Sequence, residues 1–299
     1  MPSNFPKISV ITPSYQQGEF IEETILSVVN QRYPNVEHFV FDGGSTDSTT
    51  EVLEKNSKHL TYWESEKDRG QSHAANKGLE KATGDFVLIL NSDDLVLPGA
   101  FLYIAEQLEK DPSMKWIAGQ SLVFGESRPV YDLMPVIVPS KSELWIVDQC
   151  IPHPSTYVHR SLYEKHGPYD EDMGFALDFE YWARMKMAGE TFHIRNRPLS
   201  AFRFHGESKS VTLQDRRRRD QATILGRYQD KLSPSQLSAV KSYQLELEVS
   251  NNFYALVYLA LDGKVAEAKA EWHKLAKLNP QAKKYRAFYS SYYRIFVKS

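Results

Sequence analysis

Short apolar runs alternate, over the first 120 residues, with stretches whose apolar positions recur every three or four residues. That alternation predicts an α/β fold, a mostly parallel sheet flanked by helices. Lys7 to Ile11 predicts a first strand, broken at Thr12-Pro13-Ser14. Between Glu19 and Gln31, Ile21, Ile25 and Val28 fall at helical spacing with Leu26 and Val29 beside them, so one face packs on the sheet. Val36 to Phe41 predicts the second strand, and Ser48-Thr49-Thr50-Glu51 has capping-box spacing at the start of a second helix. Leu60 to Trp63 predicts a third strand and Ser72 to Ala82 a third helix. Phe86 to Leu90 is apolar on both faces, as a central parallel strand is.

Residues 100 to 214 read as mixed, with strands near Trp116 to Phe124, a Pro-bounded irregular stretch from Gly125 to Ser140, and a helix near Asp178 to Met187. Beyond Asp215 the pattern is helical throughout, with a pair of helices on either side of Asp262-Gly263 that resembles one tetratricopeptide hairpin. The expected organisation is a domain over 1–214, divided into halves at 1–120 and 121–214, and a helical extension over 215–299.

Charge separates the same two regions. Residues 1–214 hold 20 basic and 30 acidic side chains, net −10, whereas residues 215–299 hold 16 and 8, net +8. The single Cys150 forms no internal disulfide, and no run approaches the length of a membrane span. Met-Pro-Ser-Asn-Phe-Pro-Lys lacks the basic and apolar regions of a signal peptide, so cytoplasmic residence is the expectation.

In open α/β sheets ligands bind beyond the carboxyl ends of the strands. Thr12 to Tyr15, Asp42 to Asp47, and Asn91-Ser92-Asp93-Asp94 all fall at that edge. Adjacent carboxylates repel unless a cation, an Arg or water offsets them, and hard oxygen donors suit Mg2+ or Mn2+ held together with phosphates. The bland alternative is a turn whose carboxylates cap the helix starting near Pro98-Gly99. Asp42-Gly43-Gly44-Ser45-Thr46-Asp47 is either a tight turn or a backbone that approaches a nucleotide closely. No dinucleotide fingerprint and no Walker phosphate loop is present.

Ile8 to Tyr15, Asp42 to Asp47, Asp68-Arg69-Gly70-Gln71, Ala75-Asn76-Lys77-Gly78, Ala82-Thr83-Gly84-Asp85 and Leu90 to Asp94, in this order and spacing, resemble the family 2 glycosyltransferases of the GT-A fold over about the first 210 residues. The resemblance implies an inverting, metal-dependent enzyme of bacterial surface-polysaccharide type. It would move a sugar from a nucleoside diphosphate, usually UDP, to a hydroxyl of a glycan or lipid-linked acceptor. Carried over, Thr12, Pro13, Tyr15 and Asp42 would line the base and ribose pocket, Asp68 and Asp93 would contact the nucleotide, and Asp94 would be the principal metal ligand. His205 would be a further metal ligand and Lys209 would meet the diphosphate. Asp178, with Glu180 second, resembles the family's general base at a helix start. Gly43, Asn91 and Leu177 stand where many relatives carry acidic residues. A hydroxyl nucleophile must shed its proton as the new bond forms, which is why a carboxylate is needed there.

His153 and Trp182, with Trp145, are candidates for the acceptor side, against the ordinary reading of tryptophans as core. In the extension, Arg216 to Arg219, Lys283-Lys284-Tyr285-Arg286 and the Tyr-rich run ending at Phe296 offer a peripheral contact with an anionic membrane. A plain helical cap is the competing reading, and nucleic acid is the less expected partner. Two rivals for the whole chain are a nucleotidyltransferase, which would carry a basic Gly-rich loop after the first strand, and a non-catalytic sugar-nucleotide or membrane-binding module.

Overall fold

The computed structural model describes residues 5–125, 128–205, 214–261 and 263–297. Strands β1 (Ile8–Ser14), β2 (Val36–Asp42), β3 (Tyr62–Ser65) and β4 (Phe86–Ile89) lie in the order β3-β2-β1-β4 and pair in parallel. Helices α1 (Ile21–Val29), α2 (Thr49–Lys55) and α3 (Gln71–Lys81) make the crossovers that parallel pairing requires. β1 runs farther than its apolar stretch, because Thr12, Pro13 and Ser14 still pair with β2. β4 accompanies β1 only to the Ile11–Ile89 pair, so Pro13 lies where β1 has one strand neighbour. At α2 the Asp47 carboxylate accepts the Thr49 N–H at 3.0 Å, and Ser48 makes no side-chain cap, contrary to the capping-box expectation.

After β5 (Leu95–Val96) and α4 (Ala100–Lys110) come β6 (Trp116–Gly125), β7 (Arg128–Met134), β8 (Thr156–His159), α5 (Arg160–His166), α6 (Leu177–Met187) and β9 (His193–Arg203). They extend the sheet as β4-β8-β6-β9-β5 with β7 on β6. Here β4–β8, β6–β8, β6–β7 and β5–β9 are antiparallel and β6–β9 is parallel. The sheet is therefore mixed, and parallel throughout only in its first four strands. β7 falls inside the stretch expected to be irregular; it pairs only with β6, and Pro129 is tolerated at such an edge.

Both faces of the parallel half are covered. Ile8, Val10, Phe86 and Leu88 pack with Phe101 and Ile104 of α4, while Val40 packs with Ile21, Ile25 and Leu53 of α1 and α2. Burying each such side chain contributes roughly 1.5–3 kcal/mol. Glycine at position 78 lets α3 lie directly on the Ile11 side chain of β1, where any Cβ would collide.

The chain forms two compact units, Met1–Arg227 and Tyr228–Ser299. The first continues past 214 into the helix Gln214–Gln229, where Asp220 accepts backbone N–H groups from Phe175 and Ala176. The second is built from the helices Pro234–Leu261, Val265–Leu278 and Arg286–Tyr292 around Phe253, Trp272, Phe288 and Ile295. Among the described residues no helix is long and apolar enough to cross a membrane.

At the end of the sheet opposite the site, Glu37 is only 6% exposed and ties three elements together. Its carboxylate accepts from the Ser9 hydroxyl at 2.5 Å, the Thr83 N–H at 2.6 Å and the Gly84 N–H at 3.1 Å, and pairs with the Lys7 ammonium at 2.6 Å. Burial alone would raise the carboxyl's pKa, but the Lys7, Ser9 and Thr83 contacts together outweigh it and hold it below the ordinary value. A depressed folded-state pKa stabilises the protein above the ordinary carboxylate range, and that stability is lost as pH falls below it. The stability difference between the native chain and Glu37→Gln, measured by urea unfolding, is expected to shrink between about pH 6 and about pH 3. A difference independent of pH would show that the carboxylate's charge contributes nothing.

Candidate active site

β1 and β2 end level with one another at the Ser14–Asp42 pair, and the Leu90 N–H donates to Ile11 O, so the loops after three parallel strands emerge side by side. A cavity of about 1120 Å3 opens there. Its wall includes Pro13, Tyr15, Gly43, Gly44, Asp68 and Asp93 from the parallel half, and His153, Asp178, Trp182 and His205 from the mixed half. Eight of the side chains singled out from the sequence thus meet in one cleft: Pro13, Tyr15, Asp68, Asp93, His153, Asp178, Trp182 and His205.

Thr12 and Asp42 lie beneath this wall and do not line it. Thr12 is fully buried and bonds the His38 Nε2 at 2.9 Å; burial pulls His38 down to about 3, leaving its ring neutral. Asp42 shapes the loop that follows it. Its Oδ2 accepts the Ser45 N–H at 2.8 Å and the Ser65 hydroxyl at 2.6 Å, and its Oδ1 accepts the Ser45 hydroxyl at 2.6 Å. Gly44, at φ +81°, needs the conformational freedom of glycine. At Gly43 a Cβ would lie 3.1 Å from Asp68 Oδ1, so the bare backbone lets that carboxylate sit closely against the loop. Asp68 is held by the Gly70 N–H at 2.8 Å.

The adjacent carboxylates divide their roles. Asp93 faces the cavity, and its Oδ2 lies 3.1 Å from His205 Nε2. Asp94 is fully buried, accepting the Arg203 N–H on Oδ1 at 3.0 Å and the Asn91 amide on Oδ2 at 3.1 Å. Burial first, and the charge of Asp93 second, push the Asp94 carboxyl well above its ordinary value. Asp93 is therefore the carboxylate that lines the cavity, while Asp94 bonds Arg203 through one oxygen and Asn91 of its own loop through the other. Neither residue caps α4, whose N-cap is Gly99. A carboxylate oxygen and an imidazole nitrogen, with other positions open to phosphate oxygens, fit Mn2+ or Mg2+. Among the described residues no group of three or more His, Cys, Asp or Glu converges for a metal. Lys209 lies outside the described residues.

Asp178, also lining the cavity, occupies the first turn of α6, with its Oδ1 accepting the Phe179 N–H at 2.8 Å. Glu180 points away from the cavity. It is 3% exposed and bonds Arg184 at 2.6 Å, with Arg227 at 3.7 Å, so its charge is spent on packing α6. His153 is buried with Nε2 3.3 Å from the Tyr169 hydroxyl; burial lowers its pKa, against the opposing charge of Asp178. Trp182 lines the cavity while stacking on Trp116 at 5.5 Å. Trp145 is core, its indole donating to Pro139 O at 3.0 Å.

Several groups were not singled out from the sequence. Lys67 brings a cation to the wall beside Asp68. Gln16 joins the first two loops, its side-chain oxygen accepting the Asp47 N–H at 3.1 Å and its amide donating to Thr46 Oγ1 at 2.9 Å. Arg203 donates to the Asp93 carbonyl at 3.0 Å and to Glu23 at 2.5 Å, bracing the loop that carries Asp93. Asp220 accepts the Phe175 N–H at 2.8 Å and the Ala176 N–H at 3.0 Å, fixing the approach to Asp178 from a helix that follows the sheet. Nothing in the local pattern around these residues marks them, since each acts on a distant segment.

A family model described as glycosyl transferase family 2 matches residues 9–151. An uncharacterized glycosyltransferase of Mycobacterium tuberculosis is 34% identical over 194 residues, which are 64% of this chain and 72% of that one. Residues 1–349 of Staphylococcus aureus TarS, solved with UDP-GlcNAc, superpose with a TM-score of 0.61 at 19% identity over 80% of this chain and 72% of that one. The mannosyltransferase PcManGT of Pyrobaculum calidifontis, solved with GDP-Man and Mn2+, gives 0.60 at 21% identity over 100% of this chain and 88% of that one. At these identities the two solved structures share the fold.

Asp220→Ala leaves the Phe175 and Ala176 amides without their acceptor. The expected cost is about 1–3 kcal/mol of stability, with faster hydrogen exchange at those two amides than in the native chain. Unchanged exchange there would show that the tie does not hold the loop.

Proposed function

As the chain belongs to glycosyl transferase family 2 and is a glycosyltransferase of the GT-A fold, we propose that it transfers a hexosyl group from a nucleoside diphosphate, UDP being the expected carrier, to a hydroxyl of a glycan or lipid-linked acceptor in surface-polysaccharide synthesis, with inversion at the anomeric carbon. The observation that carries this reading is that Asp93, His205 and Asp178 line one cavity, with Asp93 and His205 3.1 Å apart.

In this reading Pro13, Tyr15 and the Gly43-Gly44 backbone border the nucleoside, and Asp68 lies within reach of the base or ribose. Thr12 and Asp42 support that pocket from beneath. Asp93 and His205 would hold a divalent cation, Mn2+ or Mg2+. When bound, the cation supplies positive charge against the diphosphate. Asp94 positions the Asp93 loop against Arg203. Asp178 accepts the proton of the acceptor hydroxyl as its oxygen bonds the anomeric carbon and the bond from that carbon to the diphosphate oxygen breaks. Attack from the face opposite the leaving group inverts the centre. His153, kept neutral by burial, and Trp182 border the acceptor side.

The test pairs binding with transfer. Thermal unfolding is followed with UDP, GDP, CDP, dTDP and ADP, each with and without Mn2+. A ligand at about a hundred times its Kd stabilises the native state by about 2.7 kcal/mol. One nucleotide is expected to give a Mn2+-dependent shift, lost in Asp93→Asn and retained in Asp94→Asn, whose remaining side-chain oxygen still accepts the Arg203 N–H. The reverse pattern would return the metal to Asp94. Asp178→Asn is expected to keep the shift and to lower kcat by about a hundred- to ten-thousandfold. Transfer at the native rate by that variant would remove Asp178 from the role of base. Nucleotide binding by the native chain without sugar transfer to any acceptor would favour a non-catalytic module.

A further inference from the structure

The unit Tyr228–Ser299 carries a surface that the donor cleft does not use. On the helix Arg286–Tyr292 and the π-helical turn Tyr293–Val297, Ala287, Phe288, Ser291 and Ile295 are buried against Phe253 and Trp272. That stripe completes the unit's core, and Ser291 also accepts the Trp272 indole N–H at 2.9 Å. The opposite stripe is aromatic where a solvated helix would be polar. Tyr289 is 60% exposed, Tyr293 55% and Val297 62%, following one another at helical spacing. Val297 and Leu278, the latter 69% exposed, are the two most exposed large apolar side chains among the described residues.

The stretch of sequence that carries this stripe has charge of one sign. From Trp272 onward the sequence holds seven Lys or Arg residues and no Asp or Glu. Lys283, Lys284, Arg286 and Arg294 are exposed, and none forms an ion pair among the described residues. An exposed run of cations with no carboxylate in the same stretch suits an anionic partner.

We propose that the stripe Arg286–Val297, flanked by Lys283 and Lys284, docks on an anionic lipid bilayer. Tyrosine suits the headgroup level, since its ring enters the acyl boundary while its hydroxyl stays hydrated. Valine and leucine gain from acyl chains but offer no face for stacking a base, which favours lipid over nucleic acid. Each cation near an anionic leaflet adds about 1 kcal/mol of attraction, which salt screens. This inference is independent of the donor and of the residues assigned to transfer.

The full chain is to be sedimented with vesicles of phosphatidylcholine alone and of phosphatidylcholine mixed with phosphatidylglycerol, at low and at raised salt. Binding is expected only to the mixed vesicles and is expected to weaken with salt. The triple variant Lys283→Ala, Lys284→Ala, Arg286→Ala should lose about a hundredfold in partitioning. The double variant Tyr289→Ser, Tyr293→Ser should bind the mixed vesicles more weakly even at low salt. Both variants change exposed side chains and should keep the native thermal midpoint. Equal binding to both vesicle types, or undiminished binding by both variants, overturns the proposal. So does displacement of the chain from vesicles by a single-stranded oligonucleotide that binds the same residues more tightly. Self-association that the tyrosine substitutions abolish, without vesicle binding, would assign the stripe to a second copy of the chain instead.

Discussion

One buried carboxylate joins the two halves of the site. Asp94 has no exposure, and a carboxyl group removed from water is costly unless its oxygens are hydrogen-bonded. Its partners come from both sides: the Asn91 amide within its own loop, and the Arg203 N–H at the end of β9, 109 residues later. Arg203 in turn holds the Asp93 carbonyl, so the strand end and the loop lock each other. With that lock, Asp93 and His205 stand 3.1 Å apart on the cavity wall. The β5–β9 pairing, Leu95 with Ala201 and Val96 with Ser200, brings the end of the second half to this loop, and the lock fixes the carboxylates within that register.

The part of the cavity that carries Asp178 depends on a comparable device. The segment before α6 has few contacts that its own sequence would enforce, and Asp220 supplies acceptors for two of its amides. Arg227 pairs with Asp170 at 2.5 Å and approaches Glu180, so the helix after the sheet braces the whole stretch leading to Asp178. The first unit therefore runs to Arg227, because these ties make part of the basic, helical stretch belong to the sheet. Asp220 is buried in this role, while Arg227 makes its ion pair from an exposed position.

Much of the architecture was legible along the chain. Apolar runs and helical spacing located β1 through β4 and the three intervening helices to within a few residues, because burial on both faces of a parallel sheet demands continuous apolarity. The mixed pairing beyond β4 was not legible. Strand direction there depends on which edge each strand joins, and β7 carries no uniform apolar run because it pairs on one side only. The site was read at the level of segments more reliably than of atoms. Three loops were expected at one edge and are found there, yet Thr12, Asp42 and Glu180 turned out to be buried supports.

By itself the sequence determined the fold class, the edge at which three loops converge and the family to which the chain belongs, since these rest on local periodicity and on short motifs in a given order. The tertiary structure decided which of Asp93 and Asp94 faces the cleft and that Glu180 serves α6. It also brought Asp68 against Gly43 and showed that the exposed face of the last helix is aromatic. The physical reason is one of range. A residue's tendency to form a strand or helix is set by its neighbours, whereas the direction and solvation of a carboxylate are set by donors that stand, for Asp94, as far as 109 residues away.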